Sequence, residues 1–375
     1  MRIARLWTLC AGFAVAGCGH EGQTEATRWS LAPTAFEIGG LTDDERYSLS
    51  EVMGATRLSD GRVVIVDHFA QGLRVFSPSG EYLASVGGKG EGPGEYEYVR
   101  GMGPCAGDSV VVFDLYWDEK IYDENLQLLE ERSPVIPGLE GSAYDFACEP
   151  SGYVVATGWG DFEDQFRAGY HVATAPVVLV RQGKLVYDFG ERLSSERVGS
   201  VRPSGEPAGS SPHPFGRKTT VAIGGGRVYL GDAAEYSVEV YDFAGDPLPS
   251  ITWSGPARDI SDRHIALYED AQVSEASESQ RPAVRRRIRD MPRLERFPAY
   301  DRLRVDAAGN LWVRHFPKPG ATEAKWVVFD GGGAMVGRLL VPMSTTLLEL
   351  GADYAIVVET DELDVETVRV MQLLR

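Results

Sequence analysis

The chain has 375 residues, with 37 Lys and Arg against 55 Asp and Glu and a formal net charge of −18. Such a surface repels phosphate backbones, which disfavours general nucleic-acid binding. The length is ample for a large core, and no apolar run reaches the roughly 20 residues that a membrane-spanning helix needs.

Met1-Arg2-Ile3-Ala4-Arg5 is a short basic segment, and an apolar run follows from Leu6 to Gly17. A basic flank, an apolar stretch too short to span a bilayer and a small-residue exit define a secretory signal over residues 1–17. The exit, Val15-Ala16-Gly17-Cys18, resembles the bacterial lipobox. That resemblance implies lipidation at Cys18, with acyl chains such as palmitate holding the chain at ~0.8 kcal/mol per buried CH₂. Gly19 in place of Asp implies sorting to the outer membrane, so the protein is expected to be exported and lipid-anchored to the cell envelope. Residues 18–28 read as a lipidated, polar tether and 29–375 as the folded part. Removing Arg2 and Arg5 with the signal leaves 35 basic against 55 acidic residues, a net charge of −20.

Beyond the tether the chain repeats. Gly61-Arg-Val-Val-Ile-Val-Asp67, Asp108-Ser-Val-Val-Val-Phe-Asp114 and Gly226-Arg-Val-Tyr-Leu-Gly-Asp232 are short β-branched runs, each ending in Asp. A second strand follows each, and these end at Phe76, Tyr122 and Tyr241, with a further example at Phe329. Gly80, Gly245 and Gly333 lie four residues beyond three of them, and Asn125 three residues beyond Tyr122. Gly and Asn suit a hairpin that needs positive φ. Written as four strands A to D, unit one takes about 49–87, unit two 97–132, a divergent unit three 142–189, unit four 217–253 and unit five 300–341. A last unit, 346–374, has three strands, and Thr34-Ala-Phe-Glu-Ile38 has the alternation to supply the fourth. The pattern predicts an all-β, six-bladed β-propeller closed by its N-terminal strand, with the sheet edges removed by closure. A β-sandwich explains neither the recurring unit nor the incomplete last one.

Gly87-Gly-Lys-Gly-Glu-Gly-Pro-Gly-Glu-Tyr96 resembles the linker of NHL repeats, and Tyr300-Asp-Arg-Leu-Arg-Val-Asp-Ala-Ala-Gly-Asn-Leu-Trp-Val313 resembles an NHL-type blade opening. With the lipobox, the chain resembles the six-bladed NHL-like propeller lipoproteins of bacteria over about residues 29–375. Many activities sit on this scaffold, so the resemblance implies fold and leaves function open.

Alternating strand direction puts the A–B and C–D turns at one end of the ring and the B–C and D–A connections at the other. The first end carries short turns, whereas the second carries 88–96, 134–141, 159–174, 190–216, 254–299 and 317–324. Long loops on a rigid scaffold mark the working face. His68, Phe69, Tyr116, Trp117, Trp159, Phe162, Phe166, His315 and Phe316 fall in or beside its B–C connections. They read either as anchors for a protein, peptide or carbohydrate ligand or as rings packing neighbouring loops. The insertion at about 254–299 is helical in pattern. Ser261 is placed to cap a first helix bearing Ile265, Leu267, Tyr268 and Ala271, and Pro282 suits the first turn of a second bearing Val284, Ile288, Met291 and Leu294. Arg285, Arg286, Arg287, Arg289 and Arg293 occupy the other side. They suit an anionic ligand, an acidic partner or lipid headgroups, or else they pair with Glu269 and Asp270.

Cys105 and Cys148 end innermost strands of consecutive units, which makes them candidates for a disulfide if adjacent blades bring them close enough. Catalytic signatures are sparse. Metal-dependent propeller hydrolases of the lactonase and esterase type hold calcium with channel carboxylates, and Glu51, Glu97, Asp145 and Asp301 lie near inner strands without recurring as a ring. Propeller lyases would want converging histidines, whereas His20, His68, His171, His213, His264 and His315 are scattered. The run 87–94 lacks the Lys-Ser/Thr of a phosphate loop, and no GxSxG elbow occurs. Asp67, Asp114 and Asp232 read as acceptors for loop backbone N–H groups. The expectation is therefore a binding or scaffolding module with no catalytic residue, metal or cofactor assigned. A channel-sited hydrolase or lyase is the alternative.

Overall fold

The computed structural model describes residues 26–33, 36–104, 109–114, 117–136, 139, 143–158, 164, 166–202 and 204–375. Six radial sheets follow one another around the ring. Blade one contains Val52–Arg57, Val63–Asp67, Gly72–Phe76 and Tyr82–Val86, ordered from the inside outward. Blade two contains Val99–Pro104, Val110–Asp114, Glu119–Tyr122 and Leu128–Arg132. Blade four contains Thr220–Gly224, Arg227–Gly231, Ser237–Asp242 and Pro247–Thr252, and blade five Tyr300–Val305, Leu311–His315, Glu323–Phe329 and Met335–Pro342. Blade six has Thr345–Leu350, Tyr354–Thr360 and Glu366–Leu374, and its outer strand comes from the N-terminal region as Ser30–Ala32 and Glu37–Gly39. Both segments pair antiparallel with Glu366–Leu374. Thr27–Arg28, read from sequence as tether, instead pairs parallel with the outer strand of blade five.

The turn chemistry explains the repeat. After strand C, Asp123, Asp242 and Asp330 each accept backbone N–H groups two and four residues on through one carboxylate oxygen, at 2.8–2.9 Å. Such side-chain acceptors fix a tight turn. Gly245 and Gly333 supply the positive φ of their turns, as Gly80 does in blade one, where Ser77 Oγ is the acceptor. In blade two that conformation falls on Leu126, with φ 60°, rather than on Asn125.

Packing lies between blades, where facing sheets bury their apolar sides. Six clusters of buried residues each span one seam, from Val64, Val75, Tyr96 and Val112 between blades one and two to Ile38, Ile65, Phe76 and Ile356 between six and one. Each such side chain contributes about 1.5–3 kcal/mol by leaving water. Small inner-strand residues let large ones across the seam: a Cβ on Gly54 would sit 2.6 Å from Met102, and one on Gly101 2.8 Å from Phe146. Five of the six inner strands bulge, at Val52/Gly54, Val99/Gly101, Ala143/Asp145, Tyr300/Arg302 and Leu347/Glu349. A bulge re-aims the side chains beside it, here at the channel wall.

Blade three departs most from its sequence reading. Its Ala143–Cys148 and Tyr153–Gly158 fit, but the next strands, Gly169–Arg181 and Lys184–Val201, run on beyond the blade at the long-loop end. With Pro207–Pro212 they form a three-stranded flap where sequence suggested loops over 159–174 and 190–216. Its interior is polar. Glu196 accepts from Arg217 Nε at 3.1 Å and Nη2 at 2.9 Å, Arg197 donates to Ser210 Oγ at 2.9 Å, and buried His171 sits against the carbonyls of Gly169 and Asp164. No helix among the described residues is long and apolar enough to cross a membrane.

Candidate functional site: the long-loop face and the channel

The insertion folds as two helices, α1 (Asp262–Glu275) and α2 (Arg281–Asp290). Ser261 is the N-cap of α1, and its backbone N–H donates to His264 Nδ1 at 3.1 Å. Pro282 occupies the first turn of α2, where a missing N–H costs nothing. Ile265, Ile288 and Met291 bury their side chains with Phe215 and Phe297, and Tyr268, Val284, Leu294 and Phe316 pack against that cluster. Phe215 and Phe297 meet edge to face at 5.3 Å, and Phe297 stacks on Phe316 at 5.5 Å. His213 donates through Nε2 to the Pro292 carbonyl at 2.9 Å. The insertion is thus fastened onto the long-loop end of blades four and five.

The opposite side of α2 is a basic surface. Arg285, Arg286, Arg287 and Arg289 are all exposed, followed by exposed Arg293 and Arg296. Arg285 approaches Glu269 at 3.7 Å and Arg287 reaches Gln272 Oε1 at 3.4 Å. Among the described residues, Arg286 and Arg289 make no ion pair. Pairing with α1 therefore accounts for one arginine of the cluster, and Asp270 takes none.

The remaining sequence candidates lie in separate sectors of the ring. His68 is half-buried, its ring 4.2 Å from that of Tyr98, beside Phe69, which is 70 % exposed. Arg100 lies over the Tyr98 ring at 5.8 Å. Trp117 corrects the expectation of a loop-face anchor: it is 3 % exposed, packs with Phe113, Ile136 and Leu139, and donates from Nε1 to Glu119 Oε1 at 3.0 Å. His315 ends the second strand of blade five, where its Nε2 accepts from Trp253 Nε1 at 3.4 Å beside Tyr236. Burial, with Lys325 and Arg338 nearby, pushes its pKa down to about 4, so it is a neutral packing group. Trp159, Tyr116, Phe162, Cys18 and Cys105 lie outside the described residues. Cys148 is disulfide-bonded. Asp67 accepts from Ala70 N at 2.7 Å, Asp114 from Tyr98 N at 2.8 Å and Asp232 from Ala234 N at 2.9 Å, the backbone role their position suggests.

The inner strands enclose a channel of about 720 Å³. Its carboxylates near the short turns are taken up by the fold. Glu349 accepts from Thr56 Oγ1, Arg57 N and Tyr354 OH, and Asp306 accepts from Arg375, Trp312 and Asn310. Glu149 Oε1 accepts from Ser151 N at 3.2 Å. Elsewhere the wall carries Arg100, Lys218 and Arg304 with Asp145. Asp301 holds Arg314 in a two-pronged pair at 2.8 and 2.6 Å. Glu51 and Glu97 are exposed outside this wall, and among the described residues no three His, Cys, Asp or Glu are grouped to hold a metal. Sequence reasoning looked for acids here and passed over Arg302 and Arg304, whose signal was two arginines at alternate positions of an inner strand.

The fold and its channel define a six-bladed β-propeller. A family model described as a 6-bladed beta-propeller matches residues 44–102. A Bacteroides fragilis protein described as exported is 14 % identical, with a TM-score of 0.51, covering 92 % of this chain and 96 % of that one. A member of the duf4221 family from Bacteroides vulgatus is 10 % identical, with a TM-score of 0.50, covering 93 % and 99 %. No curated protein matches the chain in sequence.

Proposed function

We propose that the protein is an exported, lipid-anchored propeller, of NHL-like type, that binds a protein, peptide or carbohydrate partner through its long-loop face. One observation carries the reading: Thr27–Arg28 enters the ring from the end opposite the long-loop face. Thr27 pairs with Gly337, three residues into the outer strand of blade five, and that strand starts at the short-turn end. Because the pairing is parallel, the chain before Thr27 leaves from the short turns. An anchor at Cys18 then holds the short-turn face toward the membrane and presents Phe69, the flap and the arginines of α2 away from it. The signal-like residues 1–17 and the lipobox-like exit support export and lipidation.

The test places a photo-crosslinking residue at Phe69, at Arg286 or at Ser79, a short-turn position, in the full chain expressed in a Gram-negative envelope. Discrete adducts from Phe69 or Arg286 with none from Ser79 are expected. Adducts from Ser79 alone, or from no position, would overturn the binding role. Metabolic labelling with an alkyne palmitate, abolished by Cys18→Ala, checks the anchor separately.

A further inference from the structure

Arg100, Lys218 and Arg304 line the channel with Asp145, and Arg302 and the Arg314–Asp301 pair lie beside Arg304 in blade five. Arg302 and Arg304 stand at alternate positions of the inner strand of blade five and share a face. Arg314 pairs in register with Arg302 from the neighbouring strand. Of the acids, Asp301 is occupied by Arg314. Asp145, across the channel in blade three, is left to face both Arg302 and Arg304. Arg100 and Lys218 line the same cavity. Arg304 Nε is shut off from solvent and has no hydrogen-bond acceptor. Burial, together with Arg304 and Arg314, holds the Arg302 guanidinium down at about 10.

Buried guanidinium groups that crowd one another are unfavourable unless an acceptor supplies opposite charge and lone pairs. The fold supplies such acceptors at the short-turn end, where Glu349 and Asp306 are saturated, whereas among the described residues Arg302, Arg304 and Arg314 have two carboxylates beside them, Asp301 and Asp145. A phosphate or carboxylate group brings the opposite charge in a matching geometry, because its oxygens can accept from two N–H groups of one guanidinium together. We infer that the channel of this propeller is a binding site for a small oxyanion-bearing molecule, a phosphate or polycarboxylate, held by Arg304, Arg100 and Lys218 and backed by the charge of Arg302. The site is separate from the long-loop face and does not depend on the lipid anchor or on a macromolecular partner.

Isothermal titration calorimetry of the soluble folded region with inorganic phosphate, citrate and chloride at constant ionic strength tests it. Phosphate or citrate should bind saturably with chloride silent, and the arm that binds tighter identifies the carrier group. Arg304→Gln should weaken binding by about tenfold or more, the worth of a charge-assisted hydrogen bond. The surface pair Arg286→Gln and Arg289→Gln should leave it unchanged. Should Arg304→Gln fail to fold, Arg302→Gln and Lys218→Gln take its place, with broadening of the ³¹P resonance of phosphate as readout. Absence of saturable binding at millimolar phosphate and citrate would overturn the inference. So would binding that the channel variants leave intact, or that only the α2 variants remove.

Discussion

At Leu126 the backbone takes φ 60°, a conformation that costs a residue with a Cβ roughly 1–2 kcal/mol. The side chain is 3 % exposed and lies in the core between blades one and two, where its burial returns about as much or more. The Asn beside it in sequence is the better local candidate for positive φ, and packing overrides it. His315 shows a similar conflict between residue type and place. A loop-edge histidine suggests a titrating ligand, yet this one is half-buried and accepts a hydrogen bond from Trp253. Its folded pKa of about 4 lies below the ordinary value near 6.5. Stability is therefore complete above pH 6.5, is lost as the pH falls because the unfolded chain takes up the proton first, and stops falling below about 4. The loss is at most about 3 kcal/mol. Buried His213, also lowered by burial, adds in the same direction. His315→Gln keeps an acceptor for Trp253 and removes the titration. Thermal unfolding of the variant should depend less on pH between 6.5 and 4 than that of the parent. Parallel curves would show that His315 is not held neutral.

At the scale of elements, the N-terminal segment that closes the ring also seats Trp29 on the outer strand of blade five. The Trp29 indole lies over Gly337, where a Cβ would sit 2.4 Å from the ring. Trp29 also meets Trp312 edge to face at 5.3 Å, carries Arg375 over its ring at 4.9 Å and donates its backbone N–H to the Arg338 carbonyl at 2.8 Å. Gly337→Ala should lower stability by about 1–3 kcal/mol through overpacking, and Trp29→Ala by about 3–5 kcal/mol through the cavity left. Combined, they should cost clearly less than the sum, because without the indole the added methyl has nothing to strike. Strict additivity in urea unfolding would argue that closure does not run through this pair. The alternation around Ile38 pointed to the closing strand, since apolar period-two patterning survives wherever a strand faces a blade. Thr27–Arg28 has two residues and no such pattern, so its pairing is visible only in three dimensions. The flap of blade three was illegible for a different reason. Its buried face carries His171, Ser195 and Arg197, so the strands read as polar loop. The channel arginines were legible as letters but not as a site, because only the closed ring brings Arg302 and Arg304 opposite Asp145.

For the whole molecule, strand direction and the proposed anchor together set an orientation. Eight residues separate Cys18 from Thr27, which fully extended reach roughly 30 Å. The described chain enters the ring at the short-turn end, so a lipid at Cys18 would lie within that distance of these turns, with the long-loop face a further blade height away. Charge works with this geometry. The net charge of −18, or −20 without residues 1–17, opposes close approach to an anionic leaflet, while the basic surface on α2 is carried on the far end. A fluorophore attached at Ser79 or at Phe69 of the full lipidated chain, reconstituted on vesicles carrying a headgroup quencher, measures the result. Ser79 should be quenched more than Phe69, and lengthening the tether with a Gly-Ser segment should shrink the difference, since a longer coil lets both ends sample the surface. Raising salt should bring the Ser79 label closer on anionic vesicles and change little on neutral ones, because only the repulsion is screened. Stronger quenching at Phe69 would invert the orientation and turn the arginines of α2 from a partner-facing surface into a membrane-facing one.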